Sequence, residues 1–180
     1  MSAAILIQEV QMTTIRKAGV SDSEKLAALG AASFTETFAH LYSAENLARF
    51  LEGHHSEPVW RTALADPAVD VWIAEDASGR ALAYMQTAPC SLPAPDLEAD
   101  AGELSRLYVL AEAQGLGLGR ALLDIGLRIL EQKFGAAYLS VWSENIRAQR
   151  IYEARGFRKV ADYKYMVGDH ADDEWIMKRF

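Results

Sequence analysis

A single cysteine, Cys90, occurs among 180 residues, so no internal disulfide can staple this chain, and a reducing setting, the cytoplasm, is expected. The four histidines and that one cysteine show no cluster with the spacing of a structural zinc site, and no metal is expected. Nowhere do roughly 18 apolar residues run together, which excludes a helical membrane span. An excess of positive charge is also missing. Eighteen basic residues stand against 25 acidic ones, a net charge of -7 that disfavours nonspecific attraction to nucleic acid or anionic membrane and better suits cationic partners. The opening "MSAAILIQEV" lacks the basic start, long apolar core and small-residue cleavage site of a secretory signal, so no export is expected.

Apolar residues make up 51% of the chain, enough for a sizeable core. No period repeats and no linker divides it, so residues 1–180 are expected to form one domain. Thr13 to Gly19 reads as a first strand, followed by a helix capped by Ser21 or Asp22. A second helix is expected from a Ser43 cap, broken at "GHHSEP". Val69 to Ala74, the turn "ASGR" and "ALAYMQTAP" form a hairpin, and the Pro-rich "CSLPAPDLEADAG" an exposed loop. After the strand "ELSRLYVL" come a glycine loop, a long helix, the strand "AAYLSVW", a helix from about Asn145, and two final strands, "GFRKVADYKYMV" and "DEWIMKRF". Strands separated by helices imply crossovers, and hairpins at both ends imply antiparallel pairing. The expected fold is α/β: one mixed, mostly antiparallel sheet of about six to seven strands, helices on both faces.

The loop "AEAQGLGLGRALL" carries Gly115, Gly117 and Gly119 at alternate positions before the long helix. Such glycines can simply make a turn. A dinucleotide fingerprint fails on spacing, because the sixth position from Gly115 is Arg120 and from Gly117 is Leu122. A nucleoside-triphosphate loop fails because Arg120 and Ala121 follow Gly119 where Lys and Ser or Thr are needed. Bare backbone amides at the positive end of a helix still make an anion cradle, and a phosphate-bearing ligand is expected there. The helix carries Leu118, Leu122, Ile125 and Ile129 on one stripe and Leu123, Leu127, Leu130 and Phe134 on another, so it should lie deep against the sheet.

The pattern Q/R-x-x-G-x-G/A is matched by Gln114, Gly117 and Gly119, and N-x-x-A-x-x-x-Y-x-x-x-G-F by Asn145, Ala148, Tyr152, Gly156 and Phe157. With both motifs in order, about thirty residues apart, the sequence resembles over nearly its full length the GNAT superfamily of acetyl-coenzyme A-dependent N-acetyltransferases. The resemblance implies acetyl-CoA as cosubstrate, its pyrophosphate held by the loop from Gln114 through Gly115, Leu116, Gly117, Leu118 and Gly119 to Arg120. It implies a splayed central strand pair, "ELSRLYVL" and "AAYLSVW", that admits the pantetheine arm. Backbone groups near Val109 would pair with the arm and polarise the thioester carbonyl, while the Val109 side chain belongs to the core. Tyr152 would protonate the departing thiolate, although a helix tyrosine at this spacing also suits a core. Asn145 would touch the arm, or only cap its helix.

An amine with a pKa near 10 must shed a proton, and Glu103 is the leading base, though a strand-end glutamate is also ordinary. Strand alternation puts Glu103 on one face with Ser105, Leu107 and Val109, unless a bulge intervenes. Cys90 has no histidine and acid partners, so direct transfer in a ternary complex is favoured. His54 and His55 read as surface residues at a helix end. "SFTETFAHLYSAENLARFL" and "YMVGDHADDEWIMKRF" are similar to a bacterial subgroup of spermidine/spermine-type acetyltransferases, which implies a polyamine or other small cationic amine as partner. Glu36 and the run Asp169, Asp172, Asp173 and Glu174 would steer a polycation, or form a solvated turn. Rival readings are acetylation of a protein N-terminus or lysine, and a noncatalytic acyl-CoA sensor. Exposed sheet edges make a homodimer reasonable.

Overall fold

In a computed structural model the described residues are 13–180, so the opening stretch read for export signals lies outside them. β1 (Thr14–Lys17) pairs antiparallel with β2 (Asp70–Glu75), β2 with β3 (Ala81–Pro89), and β3 with β4 (Ala101–Val109). The β2–β3 turn is held by the Asp76 carboxylate, which accepts from the Ser78 and Arg80 amides at 2.9 and 3.0 Å. β4 runs parallel to β5 (Ala136–Trp142), because the long helix α4 (Leu118–Lys133) carries the chain back between them. β5 pairs antiparallel with β7 (His170–Arg179), and β6 (Phe157–Val167) pairs with β7 at the far edge. The seven-stranded order is β1-β2-β3-β4-β5-β7-β6, a mixed and mostly antiparallel sheet as the sequence leads one to expect.

The feature that makes room for a ligand is a gap in this sheet. β4 and β5 pair only from Ala101↔Ala136 to Leu104↔Leu139, and beyond that point both strands continue unpaired to one another. The sheet therefore opens into a V at Ser105 and Ser140. A bulge marks the same place: Thr87 of β3 opposes Leu104 while its neighbour Gln86 opposes Arg106, which leaves Ser105 as the extra residue.

The two faces of the sheet are covered by different helices. α4 buries Leu118, Leu122, Leu123, Leu127 and Leu130 against Met85, Leu104 and Leu139, and truncating such a leucine to alanine costs about 2–5 kcal/mol. Gly126 lets α4 sit close, since a Cβ there would come within 3.3 Å of both Leu104 and Met85. On the opposite face α1 (Ser23–Phe38) and α3 (Glu57–Ala65) bury Leu26, Leu29 and Trp60 against Val71, Ile73 and Tyr84. α5 (Ile146–Glu153) lies on the α4 side, where Ala148 and Tyr152 pack on the same cluster as α4.

Two expectations need correction here. Ser43 does cap α2 (Ala44–His55), its hydroxyl accepting from the Asn46 amide at 3.2 Å, but "GHHSEP" is not a plain break. α2 runs to His55, and Ser56, extended at φ -69° and ψ 157°, ends it and starts α3, with Pro58 in the first turn. Proline belongs at a helix start, where its missing N–H has no partner to lose. His55 is also not a surface residue. It is 4% exposed, and its ring occupies the space that the absent side chain of Gly30 leaves open. Burial lowers its pKa to about 3, so the imidazole is neutral.

Candidate active site

A cleft of about 1010 Å³ occupies the opening between β4 and β5. One end is made of backbone. Gly115 and Gly117 adopt φ of +87° and +81°, the left-handed region that a side chain strains, and a Cβ at either would meet open space. Gly117 is the N-cap of α4, no side chain caps that terminus, and no acidic residue stands in its first turn. The first amide of this end bonded within the helix is that of Ala121, to the Gly117 carbonyl at 3.0 Å, which leaves the Leu118, Gly119 and Arg120 amides to a ligand. Gly119 also abuts β4, where a Cβ would come within 3.2 Å of Val109 Cγ2.

Gln114, Gly115, Gly117, Leu118, Gly119 and Arg120 all line the cleft. Leu116 does not, and its side chain is turned to solvent, 54% exposed. The Val109 side chain packs against the α4 cluster, and its strand edge toward β5 lies beyond the last β4–β5 pair. Arg147 of α5 reaches the Gln114 side-chain oxygen at 3.5 Å, joining the two motifs across the cleft.

α5 is fixed by its own residues. The Asn145 side-chain oxygen accepts from the Ala148 amide at 3.1 Å, so it caps the helix while lining the cleft. Buried Gln149, not foreseen from the sequence, donates to the carbonyls of Trp142 and Ser143 at 3.2 and 2.9 Å and ties α5 to the end of β5. Tyr152 lines the cleft with its ring edge-on to Phe157 at 6.1 Å. Burial pushes its phenol up to about 12, so the proton is held at neutral pH and is available to a stronger base.

The other end is made of side chains. Glu103 is 8% exposed and accepts on Oε2 from the Ser91 amide at 2.9 Å and the Ser91 hydroxyl at 3.3 Å. The bulge at Ser105 changes its company. Leu104 lies on the α4 face before the bulge, and Leu107 and Val109 lie there after it, so Glu103 shares its face with Arg106 and Tyr108 instead. The Arg106 guanidinium sits 4.7 Å over the Trp60 ring, and Tyr108 stacks on Tyr84 at 5.6 Å.

Of the acidic run Asp169 alone lies in an exposed turn, and Asp172, Asp173 and Glu174 lie on a strand. Gly168, with φ +60°, makes a tight turn with Asp169, Val167 pairs with His170, and β7 starts there. Alternation then sends Asp172 and Glu174 to the cleft and leaves Asp173 outside, 2.5 Å from Lys164 Nζ. Asp172 accepts from the Tyr42 hydroxyl and lies 3.2 Å from His170 Nε2. The Tyr163 hydroxyl, 3.2 Å from Ser140 Oγ, donates to Glu174 Oε2 at 3.1 Å. Burial raises the pKa of Glu174 above its ordinary value. Tyr165 is pushed up to about 12 mainly by burial and then by the charge of Glu174, with Asp172 and Glu103 adding to it and Arg106 opposing. Glu36 is engaged elsewhere, accepting from the Ala111 amide at 2.9 Å in the turn after β4. Cys90 is half-buried outside the cleft lining, and burial pushes its thiol up to about 11, which leaves it a poor nucleophile.

Among the described residues no helix is long and apolar enough to cross a membrane, and no group of three or more His, Cys, Asp or Glu could hold a metal. Comparison with known proteins agrees with this geometry. Residues 35–157 match the model of the acetyltransferase (GNAT) family. An uncharacterised N-acetyltransferase of Lactobacillus delbrueckii subsp. lactis is 23% identical over 171 residues, 93% of this chain and 98% of the relative. The fold is similar to PaiA N-acetyltransferase of Thermoplasma acidophilum in complex with coenzyme A, with a TM-score of 0.71 and 21% identity over 93% of this chain and 98% of that one. It is also similar to the ribosomal-protein-S18-alanine N-acetyltransferase of Escherichia coli, with a TM-score of 0.63 and 24% identity over 93% of each chain. The chain belongs to the GNAT family of acetyltransferases, and acetyl-coenzyme A is its acyl donor.

Proposed function

We propose that this N-acetyltransferase moves the acetyl group directly to a small cationic amine, with a polyamine as the finer assignment. The observation that carries the reading is one cleft with two unlike ends: bare amides at an uncapped helix start, and Glu103, Asp172 and Glu174 opposite. The amide end fits a pyrophosphate because nothing blocks it, and the acidic end fits an ammonium by charge. When bound, acetyl-CoA supplies an activated thioester. Tyr152 donates its proton to the departing sulfur, and Asn145 and the free edge of β4 near Val109 hold the pantetheine arm. The ammonium proton passes to a carboxylate at the acidic end, and Glu103 is the one that the sequence nominates. We place the activity in the cytoplasm, in keeping with the single reduced thiol, and a homodimer through an outer strand, β1 or β6, is its proposed assembly.

Mass spectrometry of an amine panel at saturating acetyl-CoA tests this reading. Acetylation of spermidine or spermine is the expected result. Acetylation of peptide N-termini or lysines alone would replace the small-amine assignment, and no product on any amine would remove transfer itself.

A further inference from the structure

Three carboxylates converge at the acceptor end, yet their surroundings differ. Glu103 has two donors on one oxygen, both from Ser91. Asp172 has the Tyr42 hydroxyl and the His170 ring. Glu174 is held by two hydroxyls, those of Tyr163 at 3.1 Å and of Ser140, which also meet each other at 3.2 Å. Ser140 is the first residue of β5 past the last pair with β4, so this chain of contacts ends at the apex of the V. Glu174 pairs in register with Trp142 of β5 and Tyr163 of β6, and both line the cleft.

We infer that Glu174 is the general base of the transfer, taking the proton of the acceptor ammonium while Glu103 and Asp172 hold that ammonium by charge. The inference rests on the amine-acetylation reading and assigns its proton. The ammonium gives one proton to Glu174, and its freed lone pair attacks the carbonyl carbon. The C–N bond forms, the C–S bond breaks, and the sulfur leaves with the bonding pair and takes the Tyr152 proton. The nascent amide sheds its second proton to restore Tyr152, and Glu174 releases its own to solvent.

The groups that face Glu174 are Asp172 on its own strand, Tyr163 and Tyr165 from β6, Tyr42 from the turn after α1, and Tyr108 from β4. Glu103 and Arg106 reach the same Tyr165. Desolvation and the like charge of Asp172 both push Glu174 toward the protonated form, which brings its proton affinity closer to a neutral working pH.

The test is the pH dependence of kcat/KM for wild type, Glu174→Gln, Glu103→Gln and Tyr163→Phe, with the acceptor that the wild type uses best. Glu174→Gln should lose about 10²- to 10⁴-fold and the acid-side limb, with coenzyme-induced thermal stabilisation intact. Glu103→Gln should raise KM and keep the limb. Tyr163→Phe should move the limb to higher pH, because it removes a donor to the carboxylate. A 13C-carboxyl NMR titration should place Glu174 above the ordinary glutamate value of about 4.3, whatever the acceptor. A limb retained by Glu174→Gln, a limb lost in Glu103→Gln, or a Glu174 titration at or below that value overturns the assignment. Absence of transfer by the wild type would instead strike the amine-acetylation reading, and the titration would still decide the state of Glu174.

Discussion

At the donor end of the cleft the functional groups are backbone amides from one continuous stretch, Gly115 to Arg120, whereas at the acceptor end they are side chains from β4, β6, β7 and the turn after α1. The donor end depends on what is missing, namely side chains over the loop and a cap on α4. The acceptor end depends on burial, which raises Glu174 and the tyrosines around it. A pyrophosphate is the same in every acyl-CoA, so local geometry suffices for it. An acceptor amine is particular, and its site is assembled from elements far apart in the chain.

Substitutions that act on one end alone test this contrast. After Glu174→Gln, the largest effect is expected of Tyr152→Phe, which should lower kcat by about 10²-fold, with the coenzyme dissociation constant unchanged. Steady-state kinetics beside a coenzyme titration checks both halves of that statement. Gly117→Ala should weaken coenzyme binding by about tenfold, because the free loop relaxes out of the left-handed region, where a Cβ costs roughly 1–2 kcal/mol, and must return there to aim its amides at the ligand. Calorimetric titration reads it, and the KM for amine should stay in place.

His55, buried against Gly30 and outside the cleft lining, supplies a prediction about stability alone. Its folded pKa, about 3, lies below the ordinary 6.5, so as pH falls the unfolded chain takes the proton first. Stability from this group is complete above 6.5 and should be lost at about 1.4 kcal/mol per pH unit on acidification below it. Thermal melts between pH 6.5 and 5 should show a shallower fall in His55→Phe than in wild type. The smallest effect is expected of Asp172→Asn: a rise of a few-fold in KM for a polycationic amine, shrinking as salt is added, with coenzyme affinity unmoved.

The same contrast explains what could be read before any coordinates. The glycine loop, the Asn145 cap and the α4 stripes are local patterns, and each is present in the structure where the sequence puts it. The parallel β4–β5 pair and its splay followed from the order of elements and the resemblance. α3 was hidden because Ser56 and Pro58 signal both the end of one helix and the start of the next. The bulge at Ser105 leaves no mark in "ELSRLYVL", so alternation placed Glu103 with Leu107 and Val109 when it belongs with Arg106 and Tyr108. Burial of His55 depends on Gly30, twenty-five residues earlier, and the inward turn of Asp172 and Glu174 depends on pairing with β6. The signal that could have found those two acids was Gly168-Asp169, which reads as a two-residue hairpin turn.

Release of free coenzyme A thiol by the wild type at saturating acetyl-CoA, with and without amine, tests amine acetylation most directly. Thiol should appear in proportion to added amine, with little in its absence. Thermal stabilisation by the coenzyme with no amine-dependent thiol on any acceptor would contradict it, and would leave a protein that binds the donor without using it.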